Sequence, residues 1–287
     1  MQGRKSAIGL SRTVNGSDSF GSNALDRVTE RVQALRITRE GSLTAGVDVV
    51  EEMPMTVFVN GKEKVTLLTI AREFEPLAVG FLFSEGWLQE RSAIEEIRTE
   101  PDRGIVRIRL KKVPPLAERF VEKRLIASSC GKATSFYNIL DPALCGPVSS
   151  ELRVSSGRIL SWMKEMLQDG RLYQATRGTH SVALYAENGR IHLEEDIGRH
   201  NAVDRILGKC VLEGTSVDRA VLLATGRLSS EIVIKAARLG IPVLVSRSAP
   251  TALALRLGER LAMTLVGYVR GGSMNVYTHA QRIVVGN

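Results

Sequence analysis

The segment of this chain best suited to nucleophilic chemistry is Ser128-Ser129-Cys130-Gly131-Lys132-Ala133-Thr134. A thiolate, not a thiol, is the nucleophile, and its pKa falls beside a cation or a helix N-terminus. Lys132 supplies the cation, and Gly131 lets a reactant approach closely. The competing reading of Cys130 is a small buried hydrophobe, as most free cysteines are. Cys145 and Cys210 have the apolar neighbours Leu144 and Val211, and buried packing is the reading for both. The Gly131-Lys132 pair is not a phosphate loop. That motif needs glycine where Ile126 stands and Ser or Thr where Ala133 stands.

Four further clusters could bind or move protons. Arg177-Gly178-Thr179-His180 and Asp196-Ile197-Gly198-Arg199-His200-Asn201 each set a histidine beside Arg and Gly. Histidine transfers protons near neutral pH or hydrogen-bonds a nucleotide, whereas the bland alternative is that these groups cap a helix and fix turns. Thr225-Gly226-Arg227-Leu228-Ser229-Ser230 follows one apolar run and Tyr268-Val269-Arg270-Gly271-Gly272-Ser273 follows another. In an α/β sheet, anionic ligands bind where strands end and helices begin. Paired glycines can offer consecutive N–H groups to a phosphate, with Arg270 adding a bidentate charge, although one Gly-Gly is also an ordinary turn. Two such loops on one sheet edge favour a phosphate-bearing ligand. Cys-x-x-Cys, His-Glu-x-x-His and Cys₂His₂ spacings are absent, so no metal site is expected.

These residues must be held by elements whose patterns are visible. Residues 1–33 are rich in Ser, Gly, Asn and charge and read as a mobile extension, with structure starting near Val32. Strand-like alternation from Val47 to Thr69 turns at Asn60-Gly61, a hairpin signal. A buried helix spans Leu77–Glu85 behind Pro76 and ends at Gly86, and a half-buried strand covers Gly104–Leu110. Residues 34–127 therefore read as a β-rich N-terminal domain with one buried helix, and 128–287 as a second domain. The latter alternates helix at Arg158–Gln168, a hairpin about Asn188-Gly189, helix at Asn201–Leu212, strand at Val221–Ala224 and helix at Ser229–Leu239. Strand at Pro242–Ser246, helix at Thr251–Ala262 and strand at Thr264–Val269 complete it. That alternation predicts the α/β class, with crossover units in layers.

Composition limits the function classes. The 287 residues are 44% hydrophobic and 24% charged, the balance of a globular protein. No segment approaches the ~20 apolar residues that span a bilayer, and Met1–Leu10 has no apolar run, so a cytoplasmic protein without membrane attachment is expected. Three unclustered cysteines fit a reducing compartment. A net charge of +8 favours anionic partners, but the cations are scattered and aromatics are only 5%, which argues against nucleic acid.

Taken together, the segments resemble the accessory sulfurtransferase family of formate dehydrogenases, FdhD. The likeness is carried by Glu75–Gly86, the Ser129-Cys130-Gly131 loop, Gly178-Thr179-His180 and Glu195–Asp204. Further on it is carried by Gly226-Arg227, Gly240–Ser246 and Arg270–Tyr277. The resemblance implies a cytidine-deaminase-like three-layer C-terminal domain with a mixed sheet, a smaller β-rich N-terminal domain, and a homodimer. It implies that Cys130 accepts persulfide sulfur from a cysteine desulfurase and passes it to the bis-guanine-dinucleotide molybdenum cofactor of formate dehydrogenase. Tyr268, Val269, Arg270, Gly271, Gly272 and Ser273 then map to the family's cofactor-binding stretch, with GDP or GMP as a mimic. Gly226 and Arg227 would join them on the phosphates, and His180, His200 and Asn201 would shape the pocket. Two positions depart from the family pattern: Ala133 stands where many members have a second cysteine, and Ser273 where a basic residue is frequent. One cysteine suffices to hold a persulfide, but the first departure supports an alternative, a non-catalytic cofactor-binding chaperone. The deaminase zinc motifs are absent, so the scaffold would lack that metal.

Overall fold

The computed structural model of the protein describes residues 28–113 and 145–286. Cys130, the expected boundary at residues 127/128 and residues 1–27 of the expected extension lie outside the described residues. β1 (Thr29–Thr38) and β2 (Gly41–Val50) form an antiparallel ribbon. Among the described residues strand structure is already present at Thr29, ahead of the expected start near Val32. The ribbon is solvated on both faces for most of its length, so backbone pairing forms it without an apolar period that the sequence could display. Val28 and Val50 anchor its base against Ile70 and Leu172, while Leu35, Ile37 and Leu43 are exposed.

β3 (Met53–Val59) and β4 (Lys62–Thr69) form the hairpin expected at Asn60-Gly61, whose φ angles of 49° and 80° are those a two-residue turn requires. α1 (Phe74–Ser84) follows and stops at Gly86, φ 78°, where Trp87 N–H donates to Leu82 O and Gly86 N–H to Phe83 O. β5 (Ile94–Glu100) and β6 (Ile105–Leu110) complete a sheet in the order β4-β3-β6-β5. α1 is apolar all round because it is covered on several sides. The four-stranded sheet supplies part of its packing and a later helix the rest.

The second half holds a larger sheet. β7 (Val154–Ser155) leads into α2 (Ser156–Asp169) and α3 (Arg171–Thr176), then β8 (His180–Ala186) and β9 (Gly189–Asp196). α4 (Arg199–Glu213), β10 (Val221–Ala224), α5 (Ser230–Leu239), β11 (Val243–Ser246), α6 (Ala252–Arg260), β12 (Thr264–Arg270), β13 (Ser273–Val276) and β14 (Ile283–Val284) follow. Six strands pair in the order β13-β12-β11-β10-β8-β9, with β10, β11 and β12 mutually parallel and joined through α5 and α6. Residues alternate between two cores. Leu222, Ala224, Leu244 and Leu265 pack with α4, α5 and α6, whereas Val221, Leu223, Val245 and Val266 pack with Ile159 and Met163 of α2. Strands buried on both faces read as continuous apolar runs, which is why their sequence period is hidden. A mixed sheet with helices on both faces is the α/β class expected.

α1 and α4 join the two sheets. A Cβ on Gly80 would lie 1.8 Å from Asp204 O, and one on Gly208 would lie 1.8 Å from Pro76 O. The two backbones therefore touch through glycines. Beside this crossing, Arg205 of α4 is fully buried and uses every donor it has. Its Nε donates to Asp196 Oδ2 (2.8 Å), Nη2 to Thr69 Oγ1 (2.8 Å) and Ile70 O (3.3 Å), and Nη1 to the carbonyls of Arg72 and Glu73. Thr69 Oγ1 in turn donates to Asp196 Oδ2 at 2.5 Å. A second buried group lies on the preceding residue: Asp204 accepts from Lys235 Nζ (2.7 Å) and Ser84 Oγ (2.6 Å). Arg238 donates to Ser84 O (2.7 Å) and so caps the end of α1.

Candidate functional site at the carboxyl edge of the sheet

Parallel pairing places the ends of β10, β11 and β12 on one edge, and each end carries an arginine: Arg227 three residues after β10, Arg247 directly after β11 and Arg270 as the last residue of β12. The loops are tied together by hydrogen bonds. Ser246 Oγ donates to Gly226 O (2.6 Å), Arg247 N–H to Ala224 O (3.1 Å) and Tyr268 N–H to Ser248 O (3.1 Å). The two glycine loops predicted to share an edge do share it.

The first cluster surrounds Gly226. A Cβ there would lie 3.1 Å from Arg199 Cβ and 3.4 Å from His180 Nδ1, so the loop packs closely against β8 and α4. His180 opens β8 opposite Asp196, with Nδ1 3.4 Å from Thr225 Oγ1. His200 Nε2 lies 2.9 Å from Glu231 Oε2 and 3.5 Å from Ser229 Oγ, at the start of α5. His180 and His200 are therefore brought together with Gly226 where α4 and α5 begin. Asn201 is not. Successive helical residues point about 100° apart, and this one turns into the buried clamp, where Nδ2 donates to Leu68 O (2.9 Å) and Asp196 Oδ1 (3.0 Å). Its role in this structure is to hold the junction. Arg227 is exposed on the loop.

Burial holds the His180 pKa below its ordinary 6.5, helped by Arg199 and His200 and opposed by Asp196. The hydrogen bond from His200 holds Glu231 below the ordinary 4.5 against the effect of burial. Both shifts make the fold sensitive to acid. A folded state that resists protonating His180 keeps its full stability above about pH 6.5 and loses it as pH falls below that value. Glu231 contributes stability that is present above 4.5 and is lost as pH falls through its depressed pKa. The urea midpoint should therefore drop between about pH 7.5 and about pH 5.5, and His180→Gln should flatten that drop. An unchanged slope in the variant would exclude His180 as its source.

The second cluster is the turn between β12 and β13. Arg270 and Ser273 face each other across Gly271 and Gly272, whose φ angles of 60° and 79° close a two-residue turn. Ser273 Oγ donates to Arg270 O at 3.1 Å. Tyr268 stands at φ 55° in a bulge, its half-exposed ring 5.3 Å from the Arg270 guanidinium. Val269 points into the core beneath α2. This turn flanks a groove of about 650 Å³ whose other wall is α2, and Arg247 also lines it.

Lys164 and Arg247 escaped the sequence reading. Lys164 looks like any solvated lysine on an amphipathic helix. Arg247 carried a usable signal, because it directly follows a buried strand, as Arg227 follows another within three residues and Arg270 ends a third. Cys210 is buried and its thiol is pushed up to about 12, chiefly by desolvation, so it packs as expected and is not a thiolate. Cys145 is half-buried and packs against the α4–α6 core. Among the described residues, no group of three or more His, Cys, Asp or Glu side chains is placed to hold a metal ion, and no helix is long and apolar enough to cross a membrane.

Comparison with known proteins agrees with this layout. Residues 50–284 match the pattern of the FdhD/NarQ family. A protein of Bacillus subtilis (strain 168) named sulfur carrier protein FdhD is 39% identical over 235 residues, covering 82% of this chain and 90% of that one. A protein of the same name from Bacillus pumilus (strain SAFR-032) is 39% identical over 246 residues, covering 85% and 94%. The crystal structure of a protein described as a formate dehydrogenase accessory protein, from Desulfotalea psychrophila, superposes with a TM-score of 0.73 at 27% identity and covers 90% of this chain and all of that one. The Glu195–Asp204 segment that forms the clamp and the glycine loops at the sheet edge lie inside the matched span, and the chain belongs to the FdhD/NarQ family.

Proposed function

We propose that this chain is a sulfur carrier that serves formate dehydrogenase in the cytoplasm, with Cys130 as the carrier. The observation that supports this reading most is the sheet edge itself. Three arginines, two glycine loops and two histidines lie along it in two clusters, in a family whose relatives are named sulfur carriers. In this reading the Cys130 thiolate attacks the terminal sulfur of a cysteine desulfurase persulfide. The donor S–S bond breaks, the donor leaves as a thiolate, and Cys130 holds the sulfane sulfur. Transfer to the molybdenum of the bis-guanine-dinucleotide cofactor returns the S–S electron pair to Cys130, so the metal gives up two electrons to the sulfur. The cofactor is the substrate here. Gly226, Arg227, Arg270 and the Gly271-Gly272 turn would face its phosphates, and His180 and His200 its pocket. We read the scaffold as a metal-free, deaminase-like domain in a homodimer, on the strength of the family resemblance and the three-layer sheet.

The test is an intact mass after incubation with a cysteine desulfurase and cysteine. Wild type should gain one sulfur atom and Cys130→Ala none. Equal gain in both would move the carrier elsewhere. No gain in either, under conditions that load a Cys-x-x-Cys relative, would favour the chaperone alternative that Ala133 suggests.

A further inference from the structure

His200 stands at the sheet edge with a carboxylate on one ring nitrogen and the other nitrogen left over. Its Nε2 lies 2.9 Å from Glu231 Oε2 and 3.5 Å from Ser229 Oγ, both at the start of α5. An ionised carboxylate only accepts, so Nε2 carries a proton and donates it to Glu231. In the neutral ring the lone pair is then on Nδ1, which has no hydrogen-bond partner among the described residues. The two side chains are 24% and 21% exposed, so protons can enter and leave. Ser229 is the N-cap of α5, where a serine hydroxyl ordinarily accepts from the first turn. This one caps no N–H group of the helix and faces the His200 ring instead.

His180 is built differently. Its Nδ1 faces the Thr225 hydroxyl, and the Asp196 carboxylate across β9 is already held by Arg205, Asn201 and Thr69. The charged groups around the His200–Glu231 pair are Arg199 on α4, His180 on β8 and Lys235 one turn along α5. Lys235 is bound to Asp204. A neutral imidazole whose far nitrogen rests on a carboxylate is a base that can hold the proton it takes. We infer that His200 is a proton carrier for sulfur transfer, with Glu231 as its positioning partner. The inference rests on the reading that a thiol, Cys130, takes up sulfur and delivers it at this edge. As that thiol attacks the terminal sulfur of a donor persulfide, Nδ1 takes the thiol proton. The donor S–S bond breaks, its electron pair goes to the inner donor sulfur, and the imidazolium returns the proton there. A new S–S bond replaces the old one, with no net oxidation. The benefit depends on pH. A thiol of ordinary pKa, about 8.5, is only about 3% thiolate at pH 7, whereas well above 8.5 it ionises unaided.

The probe is glutathione persulfide, so that the donor titrates identically in every run. Sulfur uptake by the full-length wild type, His200→Gln, Glu231→Gln and His279→Gln is followed by intact mass against time, between about pH 6.5 and about pH 9.5. His279 also faces a carboxylate, Glu259 at 3.5 Å, but its carbonyl accepts from Thr264 at the opposite end of the sheet, so it is the control. His200→Gln should be slower than wild type by about tenfold or more at pH 7 and equal to it at about pH 9.5. Glu231→Gln should show a smaller loss that closes in the same way, and His279→Gln none. Free imidazole should restore rate to His200→Ala at pH 7, a rescue that a merely structural histidine does not allow. A loss in His200→Gln that does not change with pH, no loss at all, or an equal loss in His279→Gln would overturn the inference. So would a His200→Ala protein with the wild-type urea midpoint that imidazole leaves slow. Cys130→Ala is run beside them. Uptake by that variant defeats the Cys130 reading, whereas uptake lost there but unaffected by His200→Gln defeats the proton carrier alone.

Discussion

Arg205→Ala is expected to lower the stability of the fold by about 3–5 kcal/mol, the range for breaking a buried pair by removing one partner. The reason is what the substitution leaves behind. Asp196 loses its cation in a site with no exposure, and the carbonyls of Ile70, Arg72 and Glu73 each lose a donor. Thr69 Oγ1 loses the donor that orients it toward Asp196. A network that is fully satisfied becomes a half-satisfied one, which is worse than an apolar core of the same shape. Lysine should not rescue it, because one ammonium cannot reproduce five N–H donors in a fixed plane. Urea denaturation of wild type, Arg205→Ala and Arg205→Lys would measure this. A loss below about 1 kcal/mol, the size of an exposed ion pair, would mean that the clamp is not the structural tie described.

Gly208→Ala and Gly80→Ala should each be damaging through a steric clash rather than a lost charge pair. The new methyl in either protein would have to occupy a point 1.8 Å from a backbone carbonyl of the facing helix. No rotamer can relieve this, so α1 and α4 must separate. Overpacking in a core ordinarily costs about 1–3 kcal/mol, and a clash with backbone rather than with a flexible side chain belongs at the upper end or beyond. Separation also draws Ser84 away from Asp204 and strains the Arg205 contacts. Once the helices have parted for one methyl, much of the room for the second exists. The double variant should therefore cost less than the sum of the singles, the non-additivity of groups sharing one contact. Strict additivity in denaturation midpoints would show that the two glycines do not report on one seam.

Much of the architecture was legible because local patterns and tertiary burial agreed. Asn60-Gly61 and Asn188-Gly189 turn where predicted, with Gly189 at φ 113°, the buried run at Val221–Ala224 is a strand, and the one expected at Pro242–Ser246 is a strand from Val243. The apolar helix ending at Gly86 was legible too, though not what covered it. The β1–β2 ribbon was hidden because backbone pairing alone holds it and its side chains carry no period. The hairpin at Arg270–Ser273 read equally well as a turn or as a phosphate loop, since two glycines serve both.

The residues of the Asp196–Arg205 segment show where sequence reading stops. Its types are those of an active site: Asp, Arg, His, Asn, a second Asp, a second Arg. From the sequence alone it was already a cluster with some purpose, and its helical start at Arg199 was nearly located. Only the tertiary structure separates its members. A helix turns each residue about 100° from the last, so His200 reaches Glu231 at the sheet edge while Asn201, Asp204 and Arg205 enter the junction with the first sheet. The partners lie up to 136 residues away along the chain, and no local pattern encodes which distant carbonyl will meet a given donor. The same holds for the groove, whose cations come from a helix and two strand ends that are remote in sequence. The candidacy of Cys130 as a nucleophile and the α/β layering were written in local residue types. Which charges hold the protein together and which stand free to meet a ligand was decided by packing.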